Sequence, residues 1–135
     1  MSDTTLTPNP TGAPVTWFEI GTDDPEAARA FYGALLGWRF TPEGPYTLIS
    51  TVHGEAPSGG IQDTAATQRT GAPRTYAIPY AEVADVAATC ARVEDLGGKV
   101  LVPATTTPAG IVLAHIADPA GNHIALWTPP PDPAG

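Results

Sequence analysis

Between residues 15 and 128 the pattern of apolar and polar positions divides the chain into two stretches of similar plan. In the first, Val15–Ile20 alternates as a half-buried strand does. Asp24 is suited to cap a helix, Pro25 to occupy its first turn, and Glu26 to sit at the positive end of its dipole. Ala27, Phe31 and Leu35 then recur at a spacing of four, with Ala28, Tyr32 and Leu36 beside them. This predicts one apolar stripe directed at the core. Gly37 is the natural left-handed terminator. Three short β segments follow, at Trp38–Phe40, at Tyr46–Val52 and in a run ending near Gly59-Gly60-Ile61.

A polar linker, Gln62 to Arg74, leads into the second stretch. A strand is predicted from about Thr75 to Tyr80, then a helix capped by Asp85 with Val86, Cys90, Val93 and Leu96 on its apolar side and Gly97 at its end. Strands follow at Lys99–Val102, Ile111–Ala117 and His123–Trp127, the last two joined by a tight Asp118-Pro119-Ala120-Gly121 turn. Gly97 answers Gly37 and Leu96 answers Leu36 at the same offset. Each β-α-β-β-β unit is too short to close a core alone, so two must pair. The expected fold class is α+β: two βαβββ modules (about 15–61 and 75–128) forming a cup-shaped mixed sheet with helices outside. Residues 1–14 and the Pro-rich 129–135 read as tails.

Composition narrows the partners. Hydrophobic residues are 42% and charged residues 15%, which is a globular balance. The net charge is −8 with six Lys plus Arg, leaving no basic stripe for phosphates, so neither nucleic acid nor an anionic membrane is an expected partner. The one cysteine, Cys90, has no electropositive neighbours and reads as a small core residue. Neither a signal-peptide pattern nor a membrane-spanning run is legible, and a cytoplasmic location is the expectation.

The segments Trp17-Phe18-Glu19-Ile20, Asp24-Pro25-Glu26-Ala27, Phe31-Tyr32 and Leu35-Leu36-Gly37-Trp38 resemble the opening of the vicinal oxygen chelate superfamily. Its members include glyoxalase I, extradiol dioxygenases, methylmalonyl-CoA epimerase, and fosfomycin and bleomycin resistance proteins. Val83, Asp85-Val86, Leu96-Gly97-Gly98 and Asp118-Pro119-Ala120-Gly121-Asn122 supply the matching features of the second half. The resemblance covers roughly residues 15–128. It implies the paired-module fold and leaves the chemistry open, because this fold hosts unrelated reactions.

In metal-using members of that superfamily about four His, Gln or Glu ligands converge on the concave face, one from each of four strands. The resemblance places those positions at Trp17, near Gly60, near Ile78 and at Ala125, none of which offers a side-chain donor. No metal and no other cofactor is therefore expected. By period-two alternation Glu19 joins Trp17 on the inner face, and His123 and Trp127 flank Ala125 there. His115 is expected opposite Ala125, although a one-residue slip would turn it to the helix side. Each polar candidate has a plainer reading as well. Glu19 suits a solvated strand end, His123 a surface position beside a turn, and His115 a hydrogen-bonded core imidazole. Tyr46, Tyr76 and Tyr80 are candidate walls of the same hollow, Trp38 reads as core or dimer interface, and His53 as an exposed loop residue.

An apolar cup with aromatic walls and few polar groups is the usual form of a small-molecule site. The leading expectation is a metal-independent, homodimeric binding protein similar to the bleomycin-resistance branch, an antibiotic-resistance type that sequesters an aromatic or planar ligand. The ligand-binding residues would be Trp17, Glu19, Tyr46, Tyr76, Ile78, Tyr80, His115, His123, Ala125 and Trp127. Two alternatives stand beside it. One is a glyoxalase-like or metal-free lyase, isomerase or cyclase using His115 and Glu19 in acid–base roles. The other is an accessory domain with a vestigial cavity.

Overall fold

A computed structural model of the chain describes residues 12–67 and 70–131. Most of the two expected tails (1–11 and 132–135), and residues 68 and 69 of the linker, lie outside the described residues. The elements run β1 (Val15–Thr22), α1 (Pro25–Leu36), β2 (Arg39–Glu43), β3 (Tyr46–Ser50), β4 (Gly59–Asp63), α2 (Thr64–Thr67), β5 (Tyr76–Glu82), α3 (Val86–Cys90), β6 (Lys99–Thr106), β7 (Val112–Ala117) and β8 (His123–Thr128). The strands make one mixed eight-stranded sheet in the order β2-β3-β4-β1-β5-β8-β7-β6. Within each module the first strand lies parallel to the last, β1 to β4 and β5 to β8. The modules meet within one chain along an antiparallel β1–β5 seam that pairs Trp17 with Tyr80, Glu19 with Ile78 and Gly21 with Tyr76.

Alternation along the strands sorts the core into two faces. On the outer face Ile20, Ile49 and Ile61 are buried under Ala28 and Tyr32 of α1, with Phe18, Trp38 and Phe40 alongside. Trp38, half-buried, stacks on Tyr32 at 5.3 Å and packs against this cluster. In the second module Ala81, Val86, Ala114 and Leu126 pack with Cys90 and Ile116. The inner face gathers Ile78, Tyr80, Leu113 and Ala125, with Trp17, Tyr76 and Trp127 against them.

The caps form as their sequences dictate. The Asp24 side chain accepts a hydrogen bond from Ala27 N at 3.1 Å, and Gly37 takes the left-handed conformation at φ 71°. His53, exposed in its loop, donates from Nε2 to the Gly37 carbonyl at 2.8 Å and so satisfies an end of α1. In the Asp118–Asn122 turn, Asp118 accepts from Ala120 N, Asn122 N and Asn122 Nδ2. The Asn122 side chain and these backbone amides hold its carboxyl below the usual range.

Two expectations about the helices need correction. The α1 stripe does not point inward as a unit: Ala28 and Tyr32 face the sheet, whereas Phe31 and Leu35 are 59% and 64% exposed. The second helix is also shorter than its apolar spacing predicts. α3 is five residues long and gives way to tight turns, with Arg92 N and Val93 N bonding to the carbonyls of Thr89 and Cys90 three residues back. Thr89 Oγ1 donates to the Asp85 carbonyl at 2.8 Å, alongside the helical bond from Thr89 N to the same oxygen. Val93 is still buried, but Leu96 is exposed.

Candidate functional site

The seam carries the site. The register places Trp17 and Glu19 of β1, Tyr46 of β3, Tyr76, Ile78 and Tyr80 of β5, His115 of β7, and His123, Ala125 and Trp127 of β8 on the inner face. His115 lies directly opposite Ala125. The slip that would have turned it outward does not occur.

A hydrogen-bond chain runs through the first module and across the seam. Trp17 Nε1 donates to Tyr46 Oη at 2.9 Å, Tyr46 donates to Glu19 Oε1 at 3.0 Å, and Tyr76 donates to Glu19 Oε2 at 2.6 Å. Glu19 is only 3% exposed, so it is neither a solvated strand end nor an accessible base. Burial, and then the neighbouring Glu19 charge, push the Tyr46 and Tyr80 hydroxyls far above the normal phenol range, which keeps both as proton-bearing donors at working pH. The Tyr80 hydroxyl is buried beside Glu19, whose carboxylate adds to the upward shift.

Beside this chain, His123 Nε2 and His115 Nδ1 share a hydrogen bond at 2.9 Å, one of the two nitrogens supplying the proton. Tyr76 meets both imidazoles edge-on, at 5.5 Å from His115 and 5.1 Å from His123. His115 is fully buried, with Tyr80 on another side at 6.2 Å. His123 is part-exposed, and burial lowers its pKa, so neutral imidazole dominates at physiological pH.

The site thus has two tiers. Glu19, Ile78, Tyr80, His115 and Ala125 form a buried floor, while Trp17, Tyr46, Tyr76, His123 and Trp127 form a part-exposed rim. Trp127 is tied to the start of β1 by its Nε1 donating to Thr16 Oγ1 at 3.0 Å. The floor is mixed: Ile78, Tyr80 and Ala125 belong to an apolar cluster, and the Tyr46 and Tyr76 hydroxyls reach Glu19 beside it. The reason lies in two glycines whose part the sequence did not disclose. A Cβ on Gly60 would overlap the ring and hydroxyl of Tyr46, and one on Gly21 would overlap the ring of Tyr76. Both rings reach Glu19 only because these positions are bare. Two cavities lie elsewhere. One, of about 400 Å³, is bordered by Asp23, Thr64, Arg74 and Tyr76. The other, of about 450 Å³, lies between α1 and the outer side of β5.

A metal of the kind used by some relatives does not fit these residues. Trp17, Gly60, Ile78 and Ala125 offer no donor, and both Glu19 oxygens already accept from phenols. The facing nitrogens of His115 and His123 engage each other. No group of three or more His, Cys, Asp or Glu converges among the described residues.

Comparison with known proteins gives these features a context. The chain is 36% identical over 135 residues to the anthracycline biosynthesis protein DnrV of Streptomyces peucetius, a match covering 86% of this chain and 46% of DnrV. It is 32% identical over 117 residues to the provisionally named glyoxylase CFP32 of Mycobacterium bovis, covering 82% of this chain and 44% of the relative. It therefore spans less than half the length of these two relatives. The Mn(II)-bound glyoxalase of Novosphingobium aromaticivorans shares the fold, with a TM-score of 0.55 at 18% identity over 89% of this chain and 42% of that one. Among the described residues no helix is long and apolar enough to cross a membrane. Residues 15–126 match the model of the Glyoxalase/Bleomycin resistance protein/Dioxygenase superfamily, and the chain belongs to that superfamily.

Proposed function

We propose that this domain binds a planar, aromatic small molecule without a metal, stacking it against the rim of the concave face and releasing it unchanged. The observation that carries this reading is the Trp17–Tyr46–Glu19–Tyr76 chain, which occupies the inner face with protein hydrogen bonds while leaving aromatic edges at the rim. The floor's polar groups then fix the aromatic side chains in place, a preorganisation that lowers the entropy cost of binding. Indole and phenol surfaces stack on flat ligands with little loss of rotamer freedom. The name of DnrV points the same way, since anthracyclines contain fused aromatic rings.

An acid–base enzyme is the second reading, favoured by the His115–His123 pair. In that case the part-exposed, neutral His123 is the group that meets substrate, and His115 orients it from the floor.

The test uses a hydroxylated anthraquinone as probe, with intrinsic tryptophan fluorescence and mass spectrometry of the recovered probe. The reading expects saturable quenching at a stoichiometry near one, unchanged probe, and affinity reduced about tenfold in Trp17→Ala, in line with about 1–1.5 kcal/mol for one stacked aromatic. Calorimetry with Ni²⁺, Zn²⁺ and Mn²⁺ should show no stoichiometric binding. Conversion of the probe that stops in His123→Gln would transfer the case to the enzyme reading, and tight metal binding would end the metal-free one.

A further inference from the structure

The cavity of about 400 Å³ bordered by Asp23, Thr64, Arg74 and Tyr76 is used by neither reading of the concave face. Its volume falls in the range of small-molecule sites, roughly 300–1,000 Å³. One side is the corner between β1 and α1, at Asp23. The linker between the modules supplies the other, through Thr64, Ala65, Ala72, Pro73 and Arg74. That linker is pinned rather than loose. A Cβ on Gly71 would overlap the Leu101 carbonyl of β6, so the backbone there lies directly against the edge strand. Thr64 Oγ1 donates to the Arg74 carbonyl at 2.8 Å, which ties the two ends of the linker together. Arg74 Nη2 donates to Asp23 Oδ2, which ties the linker to the corner.

The polar groups around the cavity differ in what they have left to offer. Ala65 N and Ala66 N already bond to the Asp63 carboxylate, and the Thr64 and Thr67 hydroxyls already donate to backbone carbonyls. Arg74 and Asp23 have capacity to spare. A guanidinium carries five N–H donors and a carboxylate about four acceptor sites, and each can serve a second partner without releasing the first. The Arg74 side chain is 82% exposed and that of Asp23 35%, so a ligand can reach both. Side by side they present one positive and one negative charge, the complement of a ligand that carries one of each. The remaining walls, Ala65, Ala72, Pro73 and Tyr76, suit an apolar body.

We infer that this cavity is a second ligand site, for a small zwitterion of the α-amino-acid type with an apolar side chain. The ligand carboxylate lies on the Arg74 fork and its ammonium on Asp23, so that four charges alternate in sign. Arg74 and Asp23 already hold each other in place, which reduces the side-chain freedom lost on binding. A bare anion lacks a partner for Asp23 and meets a chain of net charge −8, and a bare cation lacks one for Arg74. The inference stands apart from the concave-face reading, because Tyr76 is the one residue common to both places.

The experiment titrates the full, isotope-labelled chain with L-phenylalanine, 3-phenylpropionate and phenethylamine as probes, followed by amide chemical shifts in NMR. Saturable shifts at Thr64, Ala65, Gly71, Ala72 and Arg74 are expected with phenylalanine. Removing either charge from the probe should weaken binding roughly tenfold, the worth of one charge-assisted hydrogen bond. The variants should cross over. In Arg74→Gln, phenylalanine should bind no better than phenethylamine, and in Asp23→Asn no better than 3-phenylpropionate. Equal binding of all three probes by the wild type overturns the inference. So does either variant that keeps the full preference for phenylalanine, or a response confined to Trp17 and His123. If a charge variant fails to fold by circular dichroism, Ala65→Trp decides, since it fills the cavity and leaves both charges in place. Lost phenylalanine binding there supports the site, and retained binding refutes it.

Discussion

Gly60→Ala isolates the idea that a missing side chain makes the site. Gly60 is not among the glycines with positive φ, so on backbone grounds alanine should be tolerated and should stabilise the fold by about 0.4–1 kcal/mol. The inner-face geometry predicts the opposite sign. The new Cβ would overlap Cζ, Oη and Cε2 of Tyr46. Gly60 is held between Glu19 of β1 and Leu48 of β3, so the phenol must yield before the strand does. Once swung aside, the phenol loses its bond to Glu19, worth roughly 1.5–3 kcal/mol because one partner is charged, and the one from Trp17, worth roughly 0.5–1.5 kcal/mol. Subtracting the backbone gain leaves a net loss of about 1–4 kcal/mol. Equilibrium urea denaturation, followed by circular dichroism and tryptophan fluorescence, measures it. A double-mutant cycle sharpens the test: in a Tyr46→Ala background there is no ring to displace, so Gly60→Ala should be neutral or mildly stabilising. Equal effects in the two backgrounds, or a stabilised Gly60→Ala protein with Tyr46 in place, would refute the reasoning.

Two further outcomes follow from the packing and the charges. Because burial depresses the His123 pKa below its ordinary 6.5, the unfolded chain binds that proton more readily than the folded one. His123's contribution is complete above about pH 6.5 and is lost as pH falls through the folded value; urea midpoints measured from pH 7.5 to 5 should fall with acidification, less so in His123→Gln. The second module's helix supplies a contrast: Val86→Ala, at a site 2% exposed, should cost about 2 kcal/mol, whereas Leu96→Ala should stay within about 0.5 kcal/mol of wild type on the same denaturation assay.

How much of this was legible in the sequence depends on how local the signal is. The caps at Asp24, Gly37 and Asp85 and the Asp118 turn rest on hydrogen bonds within a few residues, and such residues announce themselves. Strand alternation likewise placed Trp17, Glu19, His115 and Ala125 on one face, since the period is fixed by the pleat. The length of α3 was not legible, because apolar spacing over Val93 and Leu96 cannot register the turns that follow Cys90. Nor was the inward or outward choice on α1, where both sides are apolar and periodicity has no way to rank them. The hydrogen bonds to Glu19 were the deepest omission. Tyr46 and Tyr76 are 27 and 57 residues from Glu19, and their meeting needs the sheet register together with two bare glycine positions.

The seam between the modules has a consequence for assembly. Most pairings lie within one half of the chain and can form early, while β1–β5 joins the halves over a long sequence separation. Glu19 draws one phenol from its own half and one from the other. A one-residue slip in docking would rotate Tyr76 to the wrong side of the sheet and leave a buried carboxylate short of a donor, a penalty of about 1–3 kcal/mol or more for a charged group. The carboxylate thus acts as a register pin: the halves can collapse together in several alignments, but only one of them satisfies both of its oxygens.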